Sequence, residues 1–200
     1  VLGEKSAMAE AARQAPGRLL KVKLGGEGDM DRVRAVHEAR PDARFILDAN
    51  EQLDAGALPG LAREAKALGV VLIEQPFPAG KDDYLLRRPA EVSVCADESA
   101  HTRDQIQDLV RAYDVVNVKL DKSGGLTEAL AMVREAKAAG MGVMVGCMVA
   151  GSLSMAPAVL LGTLADAVDL DGPLWLAEDI ADGLRYEDGK VYPPAPALWG

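Results

Sequence analysis

Five ionisable residues each close a short apolar run, at nearly constant intervals along the chain. They are Lys23, Asp48, Glu74, Asp97 and Lys119, and the steps between them are 25, 26, 23 and 22 residues. The three carboxylates are hard oxygen donors with no histidine or cysteine beside them, which is the ligand type that Mg²⁺ prefers. On three consecutive parallel strands they can converge on one ion, with one lysine on the strand before and another on the strand after.

A magnesium ion flanked by two lysines suits removal of a proton next to a carboxylate. Such a carbon acid is very weak, because loss of its proton creates a dianionic enediolate, and a divalent cation stabilises that charge where it develops. With Lys23 and Lys119 on opposite sides, one amine takes the proton and the other returns one to the opposite face, which gives epimerisation or racemisation. A syn elimination would need only one of them as base. For each charge taken singly, a salt bridge between strands is the alternative.

Short β-rich runs alternate with helical patterns, which predicts a parallel sheet with helical crossovers. Repeating units of 22 to 26 residues favour an α/β TIM-like barrel over an open doubly wound sheet. The turn Gly25-Gly26-Glu27-Gly28 also lacks the glycine spacing of a dinucleotide-binding loop. The seven predicted strands are 19–24, 44–50, 70–75, 92–97, 115–121, 142–148 and 167–171.

Alternation along these strands predicts that the polar residues share one face, at the carboxyl ends where barrel enzymes place their chemistry. The sets predicted to share this face are Lys21 with Lys23, Asp48 with Asn50, Asn117 with Lys119 and Asp121, and Asp169 with Asp171. Among the helices, Thr102 is a predicted cap, as is Ser154 for a helix whose first turn contains Pro157.

Composition excludes several classes of partner. The chain has 200 residues, 49% of them hydrophobic, and a formal net charge of −9. An acidic chain without basic clusters is a poor binder of nucleic acid or anionic membranes, and no apolar run reaches the roughly 18 residues of a membrane span. We therefore expect a cytoplasmic protein that binds neither nucleic acid nor membrane. Cys95 and Cys147 lie in apolar runs and predict core thiols rather than a disulfide framework.

Five motifs together resemble the muconate-lactonizing subgroup of the enolase superfamily. They are Lys21-Val22-Lys23, Asp48-Ala49-Asn50, Ile73-Glu74-Gln75-Pro76, Ala96-Asp97-Glu98-Ser99, and Asn117-Val118-Lys119 followed by Gly124-Gly125. Within the subgroup, the chain looks most like the L-Ala-D/L-Glu dipeptide epimerases, through residues 95–103, 116–130, 145–148 and 169–175.

The resemblance implies a role for each member of the central set. Asp48, Glu74 and Asp97 would be the ligands of one Mg²⁺ ion per subunit. Lys23 and Lys119 would be the two acid/base catalysts. These roles agree with the chemistry that the residue types and their spacing favour.

The resemblance also implies a set of substrate-binding residues. Lys21 would lie beside the substrate carboxylate, and Asp169 and Asp171 would receive the free α-ammonium group of a dipeptide, with turn aspartates as the alternative interpretation. Asn50 is a further candidate. Cys147 matches a pocket-lining position, although strand alternation points it outward and predicts at most a backbone contact.

The family joins its (β/α)7β barrel to an N-terminal α+β capping domain. The resemblance implies that this chain holds strands 2–8 and lacks strand 1 and the capping domain, with Val1-Leu2 at most the end of strand 1. We expect residues 1–182 to form the catalytic barrel and residues 183–200 a C-terminal return segment toward the capping domain. The full-length protein is expected to be a homo-oligomer.

The implied function is an isomerase that epimerises the second residue of a dipeptide, with Ala-Glu from murein peptides as the candidate substrate. An o-succinylbenzoate synthase, an N-acylamino acid racemase or a cycloisomerase would share the proton abstraction and differ in outcome. Asp169 and Asp171 argue against these three, because their substrates carry no free ammonium group. A truncated, non-catalytic scaffold is the third alternative.

Overall fold

The computed structural model describes residues 3–87 and 91–199. Val1-Leu2, the predicted end of an earlier strand, lies outside the described residues. The chain divides into two compact units, with the boundary in the sequence between Ser99 and Ala100. Over the described residues, no helix has both the length and the apolar character needed to cross a bilayer.

The first unit contains four parallel strands within its described residues. In chain order its elements are α1 (Lys5–Gln14), β1 (Leu19–Lys23), α2 (Asp29–Ala39), β2 (Arg44–Asp48), α3 (Leu58–Ala67), β3 (Val70–Glu74), a 3₁₀ helix (Asp82–Arg87) and β4 (Ser93–Ala96). Each strand pairs with the next in sequence. Lys23 is in register with Asp48, and Asp48 with Glu74. Since residues in register on parallel strands share a face, these three side chains form one row across the sheet.

Burial along β1 and β2 shows how this row is supported. In β1, Leu20 and Val22 are buried while Lys21 and Lys23 are partly exposed, which confirms the predicted alternation. In β2 every residue after Arg44 is buried on both faces. The charged residues therefore project from strands whose apolar side chains form the core of the unit.

The second unit contains three longer parallel strands and a short hairpin within its described residues. Its elements are a 3₁₀ helix (Arg103–Gln105), α4 (Ile106–Leu109), β5 (Val115–Val118), α5 (Leu120–Ser123), α6 (Leu126–Ala138), β6 (Gly142–Gly146), α7 (Ser152–Gly162), β7 (Ala167–Asp169), a 3₁₀ helix (Gly172–Trp175), β8 (Tyr186–Glu187) and β9 (Lys190–Val191). β5 pairs with β6 and β6 with β7, while β8 and β9 are antiparallel. The helix start predicted at Thr102 is confirmed.

All seven predicted strands exist, but each ends one to three residues early. After β2 the backbone turns at Asn50, whose φ is 40°, and after β3 at Gln75, whose φ is 33°. After β5, helix α5 begins at once, which leaves Asp121 exposed on the helix. The prediction that Asp121 shares a face with Lys119 is therefore wrong, because Lys119 still has extended backbone (φ −120°, ψ 130°) whereas Asp121 already lies in α5.

The cap predicted for α7 is also wrong. The helix begins at Ser152, two residues before Ser154, and Pro157 lies in its interior. The Asp179 carboxylate accepts hydrogen bonds from the backbone N–H of Ser152 at 3.0 Å and from the Ser152 hydroxyl. The Asp179 side chain, from beyond β7, thus accepts from a free backbone N–H at the start of the helix, which is the role that the local pattern assigned to Ser154.

Leu47→Ala is expected to lower the free energy of unfolding by about 2–5 kcal/mol, because it opens a cavity in a fully buried part of β2. Leu86→Ala is the matched control in the same unit, since Leu86 is 46% exposed and should change stability by no more than about 0.5 kcal/mol. Urea denaturation of both variants measures the difference. Equal losses would contradict the placement of β2 in the core.

Candidate active site

Two lysines and two carboxylates form a connected group on β1, β2 and β3. Lys23 Nζ donates to Asp48 Oδ2 at 2.6 Å and to Asn50 Oδ1 at 2.7 Å. Lys21 Nζ lies 3.0 Å from Asp48 Oδ2 and 2.9 Å from Glu74 Oε2. The Lys21 ammonium group therefore bridges the carboxylates of two neighbouring strands, and Asn50 helps to hold Lys23.

The three predicted metal ligands are almost inaccessible to solvent, with exposures of 1% for Asp48, 0% for Glu74 and 2% for Asp97. Burial raises the pKa of Glu74 to about 7, and the charges of Asp48 and Asp97 add to the rise although Lys21 opposes it. Burial would also raise the pKa of Asp48, but Lys21 and Lys23 outweigh it and hold that pKa below its ordinary value. The three carboxylates thus lie within electrostatic reach of one another, and burial together with the charges of the other two disfavours the ionised form of Glu74.

The carboxylate oxygens of the three predicted metal ligands are the type of donor that a magnesium ion prefers. Among residues 3–87 and 91–199, no group of three or more histidine, cysteine or acidic side chains is arranged so that it could hold a metal ion. Asp48, Glu74 and Asp97 nevertheless offer only carboxylate oxygens, from three neighbouring strand ends, as a hard cation requires. Lys21 Nζ lies between two of these carboxylates and supplies positive charge where a cation would supply it.

Backbone strain gathers at the same strand ends. Asn50, Glu51 and Gln75 have φ values of 40°, 68° and 33°, in the left-handed region that costs a residue with a side chain about 1–3 kcal/mol. Asn50 Nδ2 also donates to Glu98 Oε1 at 3.2 Å, which ties the turn after β2 to the segment after β4. Asp182 and Asp188 also have positive φ, in turns elsewhere in the chain, so the backbone strain supports a functional site at this edge only together with the buried charges.

The second unit brings together the remaining predicted residues. Lys119 follows β5 directly and is buried, Asp169 ends β7, and Asp171 lies in the turn after it. The Cys147 thiol lies within electrostatic reach of Lys119, Asp169 and Asp171, and it accepts a hydrogen bond from the Gly172 backbone N–H. One amine, one thiol and two carboxylates therefore form a local cluster at the ends of three strands.

The outward orientation predicted for Cys147 is wrong. β6 ends at Gly146, so strand alternation does not extend to Cys147, and the thiol joins the acidic cluster instead. Burial, together with the negative charges of Asp169 and Asp171, raises the pKa of the thiol to about 11. A thiol with such a pKa is protonated at neutral pH and is a weak nucleophile, which suits a pocket wall rather than covalent chemistry.

Two aromatic residues form hydrogen bonds with Asp171 and its neighbour Leu170, and the sequence interpretation missed both. Trp175 Nε1 donates to Asp171 Oδ2 at 2.9 Å, and the Tyr186 hydroxyl donates to the Leu170 carbonyl oxygen at 2.7 Å. Burial raises the pKa of Tyr186, and nearby negative charge including that of Asp171 adds to the rise. Trp175 lies one helical turn after Asp171 and could have been found from this spacing, whereas no local pattern connects Tyr186 to Leu170.

Comparison with known families identifies the group to which these strands belong. A family model for enolase C-terminal domain-like proteins matches residues 5–197. The chain belongs to this family. N-acetyl-D-glutamate racemase from Pseudoalteromonas sp is 46% identical over 182 residues, which are 91% of this chain and 58% of that protein. L-Ala-D/L-Glu epimerase from Escherichia coli (strain K12) is 42% identical over 195 residues, 96% of this chain and 61% of that protein. The chain thus spans about three fifths of the length of these relatives.

Solved structures agree with this membership. An enolase family member from Agrobacterium tumefaciens with homology to dipeptide epimerases, solved with sodium and L-Ala-L-Glu, matches with a TM-score of 0.96 at 48% identity and covers 100% of this chain and 61% of its own. A dipeptide epimerase from Methylococcus capsulatus, complexed with Mg and L-Arg-D-Lys, has a TM-score of 0.90 at 33% identity over 96% of this chain and 58% of its own. The predicted fold, a TIM-like barrel of the enolase superfamily, is confirmed by these likenesses.

Cys147 is expected to react slowly with iodoacetamide at pH 8, because a rise in pKa from 9.0 to about 11 reduces the thiolate fraction by about a hundredfold. Its rate should climb about tenfold per pH unit between pH 8 and 10. Mass spectrometry of the labelled protein measures this rate, with Cys147→Ser as control because Cys95 is fully buried. A rate that levels off near pH 9 would contradict the raised pKa.

Proposed function

We propose that the protein carrying this chain is a Mg²⁺-dependent dipeptide epimerase, an isomerase that acts on L-Ala-D/L-Glu type dipeptides in murein peptide metabolism. The observation that carries the proposal is the row of Lys23, Asp48 and Glu74 in register across three strands, with Lys21 bridging the two carboxylates. The names of the relatives support the same reaction class, since they are a racemase and an epimerase.

Asp48, Glu74 and Asp97 are the proposed ligands of one Mg²⁺ ion per subunit. When bound, the ion supplies positive charge next to the substrate carboxylate, where negative charge accumulates as the α-proton leaves. Lys23 and Lys119 are the proposed acid/base groups. Inversion requires one amine to remove the proton and the other to return one to the opposite face of the carbon.

The contacts of Lys21 and Lys23 suggest a separate role for each ammonium group. Asn50 Oδ1 accepts from Lys23 Nζ at 2.7 Å and so restricts the position of the amine that moves the proton. Lys21 keeps positive charge beside Asp48 and Glu74, and we place it next to the substrate carboxylate, with Asn50 as a further substrate-binding residue.

The acidic cluster of the second unit favours a substrate with a free ammonium group. Asp169 and Asp171 together present two carboxylates, which pair well with a cation, and Cys147 would line the same pocket.

An N-acylamino acid racemase is the second candidate, because the relative at 46% identity is an N-acetyl-D-glutamate racemase. Its substrate carries an acetylated nitrogen without positive charge, so the two candidates differ in their need for the aspartates.

Several expectations from the sequence stay predictions. They are the division into a barrel over 1–182 and a return segment over 183–200, the homo-oligomer, the cytoplasmic location, and the absence of nucleic-acid and membrane partners.

Replacing either lysine is expected to stop epimerisation of L-Ala-L-Glu by the full-length protein in D₂O with Mg²⁺. Lys23→Met and Lys119→Met should each lower the rate by at least about 10²-fold, since each removes one acid/base group. Each variant should still exchange the α-proton of one epimer for deuterium, as followed by proton NMR.

Lys66→Met, at a lysine whose side chain is 61% exposed, is the control and should keep the native rate. Native-like turnover in either active-site variant would contradict the two-lysine mechanism. No exchange by the native protein would favour the scaffold alternative.

Asp169→Asn separates the two candidate substrates. It should raise KM for L-Ala-L-Glu by about tenfold or more, because a charge-assisted contact to the ammonium group is lost, and it should leave exchange of N-acetylglutamate unchanged. Asp108→Asn, at an exposed position, is the control. Native exchange of N-acetylglutamate alone, with no turnover of the dipeptide, would support the racemase and contradict the epimerase.

A further inference from the structure

Gln75 is fully buried just beyond β3, and its side chain uses all of its hydrogen-bonding capacity. Its Oε1 accepts from the backbone N–H of Asp97 at 2.8 Å and of Ser99 at 3.1 Å. Its Nε2 donates to the Phe77 carbonyl oxygen at 2.8 Å and to the Ser99 hydroxyl oxygen at 3.0 Å. A carboxamide has two lone pairs on oxygen and two N–H groups, so the side chain is saturated.

The backbone of Gln75 links the same strand ends. Its N–H donates to the Cys95 carbonyl oxygen at 2.9 Å, and its carbonyl oxygen accepts from the Glu51 N–H at 2.8 Å. The residue therefore connects the segments that follow β2, β3 and β4. Its φ of 33° is strained for a residue with a side chain, and such strain persists only where the surroundings over-determine it.

We infer that Gln75 is a positioning residue for Asp97, the third proposed metal ligand. Pairing between β3 and β4 ends with Glu74 opposite Cys95, two residues before Asp97. Beyond that point, the backbone N–H of Asp97 donates to the Gln75 side chain instead of to a backbone carbonyl of β3. This bond fixes where the Asp97 backbone lies relative to Glu74. The inference rests on the proposed function, because it takes Asp97 as a ligand of Mg²⁺.

The surroundings demand an amide at this position. Its oxygen faces two N–H donors while its nitrogen faces the Phe77 carbonyl oxygen. A flipped amide would therefore place its NH₂ group against the two N–H donors and its oxygen against the carbonyl oxygen. Ser99 extends the network, since its hydroxyl donates to Asp82 Oδ1 at 2.8 Å and so reaches the 3₁₀ helix Asp82–Arg87. A side chain of similar length without polar atoms would leave the Asp97 and Ser99 N–H groups without this acceptor.

Gln75→Met in the full-length protein provides the test. Calorimetric titration with Mg²⁺ should show a Kd about 10–100 times weaker than native, as is usual when a partner that orients a ligand is removed. The Mg²⁺ concentration for half-maximal activity should rise by the same factor, and the circular dichroism spectrum should stay native. Gln52→Met, the same substitution at an exposed glutamine of the same unit, should leave the Kd unchanged.

Ser99→Ala is the second variant, because it removes one of the two acceptors of Nε2 and so weakens the hold on the Gln75 side chain that bonds to Asp97. It should weaken Mg²⁺ binding by less than about tenfold and more than Gln52→Met does. A folded Gln75→Met protein with native Mg²⁺ affinity would overturn the inference and leave the metal proposal intact. A native protein that binds no Mg²⁺ would overturn both. If Gln75→Met fails to fold, native affinity in Ser99→Ala overturns the inference.

Discussion

The buried carboxylates of the first unit repel one another, and the rest of the site depends on positive charge placed close enough to offset this repulsion. Asp48 and Glu74 lie opposite each other on neighbouring strands, hidden from solvent, where like charges repel strongly. Lys21 Nζ, within 3.0 Å of one carboxylate and 2.9 Å of the other, offsets this repulsion. Asp97 adds a third negative charge, and the pKa of Glu74 stays raised at about 7. More positive charge would therefore be accommodated here, which is the electrostatic basis for proposing a divalent cation.

Strands and turns contribute differently to this site. Register between paired strands places Lys23, Asp48 and Glu74 in one row, which needs no special backbone geometry. Two residues just past the strand ends adopt left-handed backbone and contact the charged groups: Asn50 bonds to Lys23 and Asp48, and Gln75 bonds to the backbone of Asp97. A rigid sheet thus supplies the position of the charged groups, and strained turns supply the contacts that hold them.

Hydrophobic periodicity predicted Asp48 and Glu74 as neighbours, because an apolar run that ends in a polar residue reveals both the strand and its carboxyl end. It could not predict where extended backbone stops, and the orientation of Cys147 was wrong for that reason. It also could not predict partners distant in the chain. The Asp179 carboxylate that caps α7 at Ser152 comes from 27 residues away, and no local pattern signals it.

A crystal structure of the full-length protein grown with Mg²⁺ tests the central claim most directly. One ion is predicted within about 2.1 Å of carboxylate oxygens from Asp48, Glu74 and Asp97, with Lys21 Nζ moved out of its place between the first two. A structure at saturating Mg²⁺ in which Lys21 still bridges Asp48 and Glu74, and no ion contacts the three carboxylates, would contradict the account.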